Sequence, residues 1–216
     1  MARPRGAKQR SAIVRERLAV EYPGDANALC ALVHDSPFQL LVATILSAQT
    51  TDEMVNQVTP ALFVRYPTPA DLAHADPADV EEIIHATGFF RQKTKSILGM
   101  ARALEERFDG EVPTELEDLV TLPGVGRKTG NVIRSVAFGL PGLPVDTHVL
   151  RLTKLLKLTN ETDPVKVELD LNGIVPPEAR GALSLRLILH GRRICIARRP
   201  KCAECLLVDI CPSAYP

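Results

Sequence analysis

The chain has 216 residues, with 45% hydrophobic residues but only 4% aromatic and no tryptophan. That is enough for one large domain or two small ones with a proper core. Its 26 basic and 26 acidic residues cancel, which excludes a uniformly basic surface. The longest apolar stretches fall far short of the ~20 residues a membrane span needs.

The N-terminus, MARPRGAKQR, is basic and has no apolar core, so it reads as a short disordered arm and not a signal peptide. Five cysteines without an export signal argue against disulfides. Cys30, between Leu29 and Ala31, reads as a small buried hydrophobe. After Pro37, the residues Phe38, Leu41, Val42, Ile45 and Leu46 give one apolar helical face. Asp52 is the expected N-cap of the next helix, where Val55, Val58, Leu62 and Phe63 repeat helically. Asp76-Pro77-Ala78 starts another, and Gly88 stops it. Ile97, Ala101, Leu104 and Phe108 line a longer one that Gly110 and Pro113 terminate. Thr114 to Thr121 reads as a short acidic helix, and Arg127 to Phe138 as a helix with Val132, Ile133, Val136 and Ala137 at helical spacing. Val149, Leu152, Leu155 and Leu156 follow Asp146, and Leu183, Leu187 and Leu189 precede a run of cysteines. No segment alternates like a strand, and none repeats over 20–50 residues. The fold class is all-α.

Between the acidic helix and the one from Arg127 lies Leu122-Pro123-Gly124-Val125-Gly126. This stretch cannot continue a helix, because Pro123 lacks an amide donor and both glycines accept positive φ. A tight turn feeding a helix N-terminus points free amides outward, which suits a phosphate. Two familiar phosphate motifs are excluded. A P-loop needs glycine where Arg127 and Leu122 stand, and the Gly124, Gly126, Gly130 spacing is one residue too long for a dinucleotide fingerprint. Lys128 stands at the exit of the turn, and Asp146 follows 18 positions on, after Gly142-Leu143-Pro144-Val145. Singly, such a lysine binds phosphate and such an aspartate caps a helix. Together they offer an amine nucleophile and a carboxylate to assist it.

Cys195, Cys202, Cys205 and Cys211 follow C-x6-C-x2-C-x5-C. Spacing alone leaves zinc and an iron–sulfur cluster both open: only Cys202 and Cys205 form the close pair typical of zinc knuckles. Charge is unevenly spread. Arg180, Arg186, Arg192, Arg193, Arg198, Arg199 and Lys201 run without an acid between Glu178 and Glu204. Arg3, Arg5, Lys8, Arg10, Arg15 and Arg17 face only Glu16. A neutral total can hide a basic face.

The hairpin with Lys128, the aspartate, the cysteine quartet, Leu46-Ser47-Ala48-Gln49 and Leu187-Ile188-Leu189-His190-Gly191-Arg192 together resemble the endonuclease III family of DNA glycosylases. The resemblance runs from about residue 30 to Cys211. It implies a two-lobed helix-hairpin-helix glycosylase fold with a central cleft. One lobe would be residues 30–140, with the hairpin motif at about 114–138; the other would join 1–29 to 141–216. It implies a [4Fe-4S] cluster on the four cysteines, pinning a loop whose Arg198, Arg199 and Lys201 reach DNA phosphates.

The same resemblance implies a bifunctional glycosylase and abasic-site lyase acting on oxidised pyrimidines, with Lys128 as nucleophile and Asp146 as its electrostatic partner. A free lysine is neutral in only about one molecule in 2,500 at pH 7, so the amine needs desolvation or a nearby cation. Gly124, Val125 and Gly126 would grip a phosphate, with Arg127 and Thr129 beside them. Because the base must leave the stack, Gln49 would fill the gap. Phe89 stands where the family often has a leucine wedge, and the competing reading is a core phenylalanine. Ser47, Thr50, Asp52 and His148 would line or brace the pocket. The expected partner is double-stranded DNA with damaged pyrimidines or abasic sites, bound by a monomer in the cytoplasm at the nucleoid. Two rival readings remain: a monofunctional mismatch glycosylase, which lacks the lysine, and a non-catalytic DNA-binding module.

Overall fold

Proline and glycine set most of the helix boundaries in the computed structural model, which describes residues 6–215. In chain order the α-helices are α1 (Ala7–Glu21), α2 (Pro37–Leu46), α3 (Asp52–Arg65), α4 (Pro69–Ala73), α5 (Pro77–Ile84), α6 (Phe90–Phe108), α7 (Leu116–Leu119), α8 (Arg127–Val136), α9 (Thr147–Leu155), α10 (Pro164–Ile174) and α11 (Arg180–Arg193). No strand occurs among the described residues, so the architecture is all-α. Four of these helices, α2, α4, α5 and α10, carry proline at their start, where the missing amide is no loss. No helix of the described residues is long and apolar enough to cross a membrane.

The helices sort into two compact units, Cys30–Phe138 and Met1–Leu29 with Gly139–Pro216. In the first unit α2 is the centre: Leu40, Leu41, Val42 and Leu46 are fully buried. Such an all-round apolar helix belongs inside a bundle. The amphipathic α6 lays Ile97, Met100, Ala101 and Leu104 against the same core. Gly130 lets α8 close on α7, since a Cβ there would stand 2.6 Å from Leu116. Arg134 of α8 donates back to the Thr114 carbonyl and completes the helix-hairpin-helix.

The second unit draws its core from separated parts of the chain. Val14 and Leu18 of α1 pack with Val149 and Leu152 of α9, Val167 and Leu171 of α10, Leu183 and Leu187 of α11, and with Leu207 and Ile210. Arg10 is buried and donates to the carbonyls of Leu156 (2.6 Å) and Lys157 (3.0 Å). A cation at the end of α9 meets the negative end of its dipole. The expected disordered arm is therefore corrected from Ala7 onward: that stretch is helix, held by its arginines. Arg3 and Arg5 lie outside the described residues.

Two further expectations change. Thr51, not Asp52, caps α3: its hydroxyl accepts from the Met54 amide, and Asp52 occupies the first turn. Helix α8 ends at Val136, two residues before the expected Phe138.

Candidate catalytic and nucleic-acid-binding residues

The hairpin is built around Gly124, whose φ is +78°. A Cβ there would also stand 2.8 Å from Ser96, so the position admits only glycine. The Val125 amide turns inward to the Leu122 carbonyl (3.0 Å), so it is spent within the turn. Gly126 is the N-cap of α8 and supplies no side-chain cap. The start of α8, with no capping side chain, has the form that receives an external acceptor at helix N-termini generally. Arg127 and Lys128 are exposed, and Thr129 is half-buried.

Two other turns of the same unit carry expected site residues. Gln49 (φ +55°) and Phe89 (φ +47°) both sit in the left-handed region, which is uncommon outside glycine and costs energy. Phe89 is 69% exposed, which removes the core reading. Thr50 Oγ1 donates to the Thr87 carbonyl (2.5 Å) and accepts from Lys93 Nζ (2.6 Å). Ser47 is tied to the Thr44 carbonyl at 2.8 Å. Lys93 was not among the expected site residues. Its signal was its place on the apolar stripe of α6, four residues before Ile97.

In the second unit Asp146 is the N-cap of α9. Its Oδ1 accepts from the amides of His148 and Val149, both at 2.8 Å, and its Oδ2 lies 3.1 Å from His148 Nδ1. The cap uses Oδ1 for both amides, and Oδ2 keeps a lone pair beyond its contact with His148. Ser184 of α11 donates to the Pro144 carbonyl and fixes the turn that delivers Asp146. Gly191 allows α11 close to α9: a Cβ there would stand 3.0 Å from His148 and 3.1 Å from Arg151.

Cys195, Cys202, Cys205 and Cys211 line one cavity of about 500 Å³, beside Arg198 and Lys201. Among the described residues no three His, Cys, Asp or Glu groups are placed to hold a single metal ion. Burial pushes the Cys195 and Cys205 thiols up. Those two thiols therefore need a cationic group beside them to ionise. His190 lies against the set, its Nε2 3.3 Å from Cys205 Sγ and its Nδ1 3.3 Å from the Tyr22 hydroxyl. Burial lowers its pKa to about 4, so the ring is neutral. A neutral ring that accepts from Tyr22 has its other N–H directed at sulfur.

The expected basic face is smaller than the charge run suggests. Arg180 donates to the carbonyls of Asn172 and Val175, and Arg186 to those of Tyr22 and Gly24. Arg193 lies 5.6 Å over the Tyr22 ring. These three hold the unit together. Arg198, Arg199 and Lys201 are exposed on the loop between the first two cysteines.

Residues 42–177 match the HhH-GPD superfamily of base excision DNA repair proteins, and residues 195–211 the iron–sulfur binding domain of endonuclease III. The second match begins and ends on the first and fourth cysteines. The chain is 53% identical to endonuclease III of Synechocystis sp. over 208 residues, covering 96% of this chain and 94% of that one. The chain belongs to the endonuclease III family. It is also 45% identical to the Bacillus subtilis endonuclease III, covering 86% of this chain and 85% of the relative. Its fold is similar to that of a trapped endonuclease III–DNA covalent intermediate, with a TM-score of 0.88, 40% identity, and 95% and 96% of the two chains covered. As in the endonuclease III family, the cofactor is a [4Fe-4S] cluster.

Proposed function

We propose that this protein is a bifunctional DNA glycosylase and abasic-site lyase of base excision repair, with oxidised pyrimidines as its substrates. The observation that carries the reading is Lys128 in the exposed first turn of α8, next to an amide-rich glycine hairpin, in a chain 53% identical to an endonuclease III. A relative at 40% identity forms a trapped covalent intermediate with DNA, which supports an amine nucleophile here.

The start of α8, delivered by the Gly124–Gly126 turn, binds a phosphate beside the lesion. Lys128 Nζ gives up a proton and attacks C1′; the bond to the base breaks, and the base leaves with the electron pair and takes up a proton. The C1′–O4′ bond then opens to a hydroxyl, leaving a Schiff base between Nζ and C1′. Loss of a C2′ proton expels the 3′ phosphate, which nicks the strand. Asp146 stabilises positive charge developing on the sugar. Gln49 and Phe89 occupy the space the extruded nucleotide vacates. Cys195, Cys202, Cys205 and Cys211 hold the cluster, which supplies a structural pin for the loop carrying Arg198, Arg199 and Lys201. The enzyme acts as a monomer on duplex DNA in the cytoplasm, at the nucleoid.

Borohydride trapping on duplex DNA with thymine glycol or an abasic site tests the reading, with Lys128→Gln alongside. An adduct on both substrates, absent in the variant, is the expected result. Binding without an adduct on either would overturn it.

A further inference from the structure

Lys93 is 5% exposed, yet among the described residues its ammonium faces no carboxylate. Nζ donates to Thr50 Oγ1 (2.6 Å) and to the Thr87 carbonyl (2.8 Å). Thr50 Oγ1 in turn donates to that same carbonyl, which closes a triangle. Three features make this an expensive arrangement. The charge is buried against neutral partners. It lies in the first turn of α6, where the helix dipole disfavours a cation. It also occupies the apolar stripe that continues through Ile97, Ala101 and Leu104. Burial pushes the Lys93 ammonium below its ordinary value, as such a site should.

The triangle joins two turns. Thr50 directly follows Gln49, and Thr87 is separated only by Gly88 from Phe89, the cap of the helix that carries Lys93. Both Gln49 and Phe89 are exposed, and both hold strained left-handed backbone. Strain of this kind persists only where the surroundings over-determine it. A residue next to Gln49 and one two positions before Phe89 are therefore fastened to one buried amine.

We propose that Lys93 is a positioning residue that yokes the Gln49 turn to the Phe89 turn, so that the two side chains enter a DNA duplex as one rigid element. This rests on the proposed reading of Gln49 and Phe89 as the residues that replace an extruded nucleotide. A lysine kept only for stability is the opposing account, and the two differ in what Lys93→Met does. With the amine gone, the Thr87 carbonyl keeps its bond from Thr50, and a buried charge is removed. The positioning role predicts an unchanged or raised melting temperature with a loss of coupling between the turns.

The experiment uses the cluster-loaded full chain and the variants Lys93→Met, Lys93→Arg and Thr50→Val. Unstacking is read by fluorescence of 2-aminopurine placed opposite the lesion, and base release by single-turnover kinetics on duplex thymine glycol. Chemistry apart from base extrusion is read by borohydride trapping on a single-stranded abasic site. Lys93→Met should melt no lower than wild type and trap the single-stranded site within about twofold of wild type. Its fluorescence rise should be lost, and base release from duplex should slow by about ten- to a hundredfold, the scale of a small misplacement. Lys93→Arg, which keeps the donors, should recover most of that loss. Unchanged fluorescence and base release in Lys93→Met would overturn the proposal, as would a parallel fall in melting temperature and trapping. If Lys93→Met fails to fold, Thr50→Val, which removes the hydroxyl corner of the triangle, is read by the 2-aminopurine fluorescence alone, and an unchanged rise there overturns the proposal. Should wild type release no base, the reaction assigned above fails. The fluorescence measurement needs only binding and still decides on Lys93.

Discussion

Arg151 Nη2 donates to the Cys195 carbonyl at 2.8 Å and to the Gly191 carbonyl at 3.0 Å. One guanidinium thus ties α9, the helix that Asp146 caps, to the end of α11 and the first cysteine of the cluster loop. Arg151→Met should leave those carbonyls unpaired and cost about 1–3 kcal/mol. The loss should concentrate at the cysteine segment. Thermal denaturation and the rate of iron loss to a chelator measure it. A variant that melts lower but releases iron at the wild-type rate would mean the tie serves the helices alone.

Lys128→Gln should abolish the borohydride adduct on abasic DNA and leave binding and melting temperature unchanged. The side chain is exposed, and surface substitutions of this kind rarely disturb stability. A residual adduct of wild-type yield would assign the nucleophile to another amine.

Asp146 caps α9, and substitutions separate that role from the one proposed for it at the sugar. Asparagine is as good an N-cap as aspartate, so Asp146→Asn should keep α9 intact while removing the charge opposite the sugar. Base release should slow by tenfold or more, on the scale of lost electrostatic stabilisation, ~10²–10³ for one strong donor. Asp146→Ala should lose the same activity and also about 1 kcal/mol of stability, through the orphaned amides of His148 and Val149. Single-turnover rates and denaturant titration on both variants check the split.

The parts of the site legible in the sequence are those where a residue type meets a hard demand. Gly124 needs positive φ and a missing Cβ, and both show as a glycine beside proline. The four cysteines show as spacing because only thiolates do their work. Asp163-Pro164 begins α10 with the same signal as Asp76-Pro77, yet α10 is not among the helices expected from the sequence. Other features depend on contacts distant in sequence. Arg10 is buried because Leu156 and Lys157 come to meet it from 146 and 147 residues away; local charge made it look solvated. Lys93 finds its partners at Thr50 and Thr87, neither on its own helix. Thr51 and Asp52 are both good caps, and local rules gave no reason to prefer the first.

The arginines after Glu178 divide into two kinds, and salt dependence tells them apart. Arg199→Ala should weaken binding to all DNA sequences and flatten the log–log salt slope by about 0.9, one phosphate contact. Arg186→Ala should lower the melting temperature, because the carbonyls of Tyr22 and Gly24 lose their donor, and leave the slope unchanged. Equal slopes for wild type and Arg199→Ala would remove the cluster loop from the interface.

The buried amine of Lys93 also has a signature in pH. Its pKa in the folded protein lies below its ordinary value, so between the two values the unfolded chain holds more protons than the folded one. Stability rises with pH wherever that is so. The contribution from Lys93 is therefore fully present above the unfolded value of ~10.4, and lost as pH falls through the depressed folded value. Other groups titrate in the same range, but they cancel in the difference between wild type and Lys93→Met. Wild type should accordingly gain stability relative to the variant as pH climbs from neutral to the unfolded value of ~10.4. Denaturant unfolding at both ends of that range measures the gain. A difference independent of pH would mean that Lys93 is as well solvated in the folded protein as in the unfolded chain, and its bonds to Thr50 and Thr87 would then carry no burial cost.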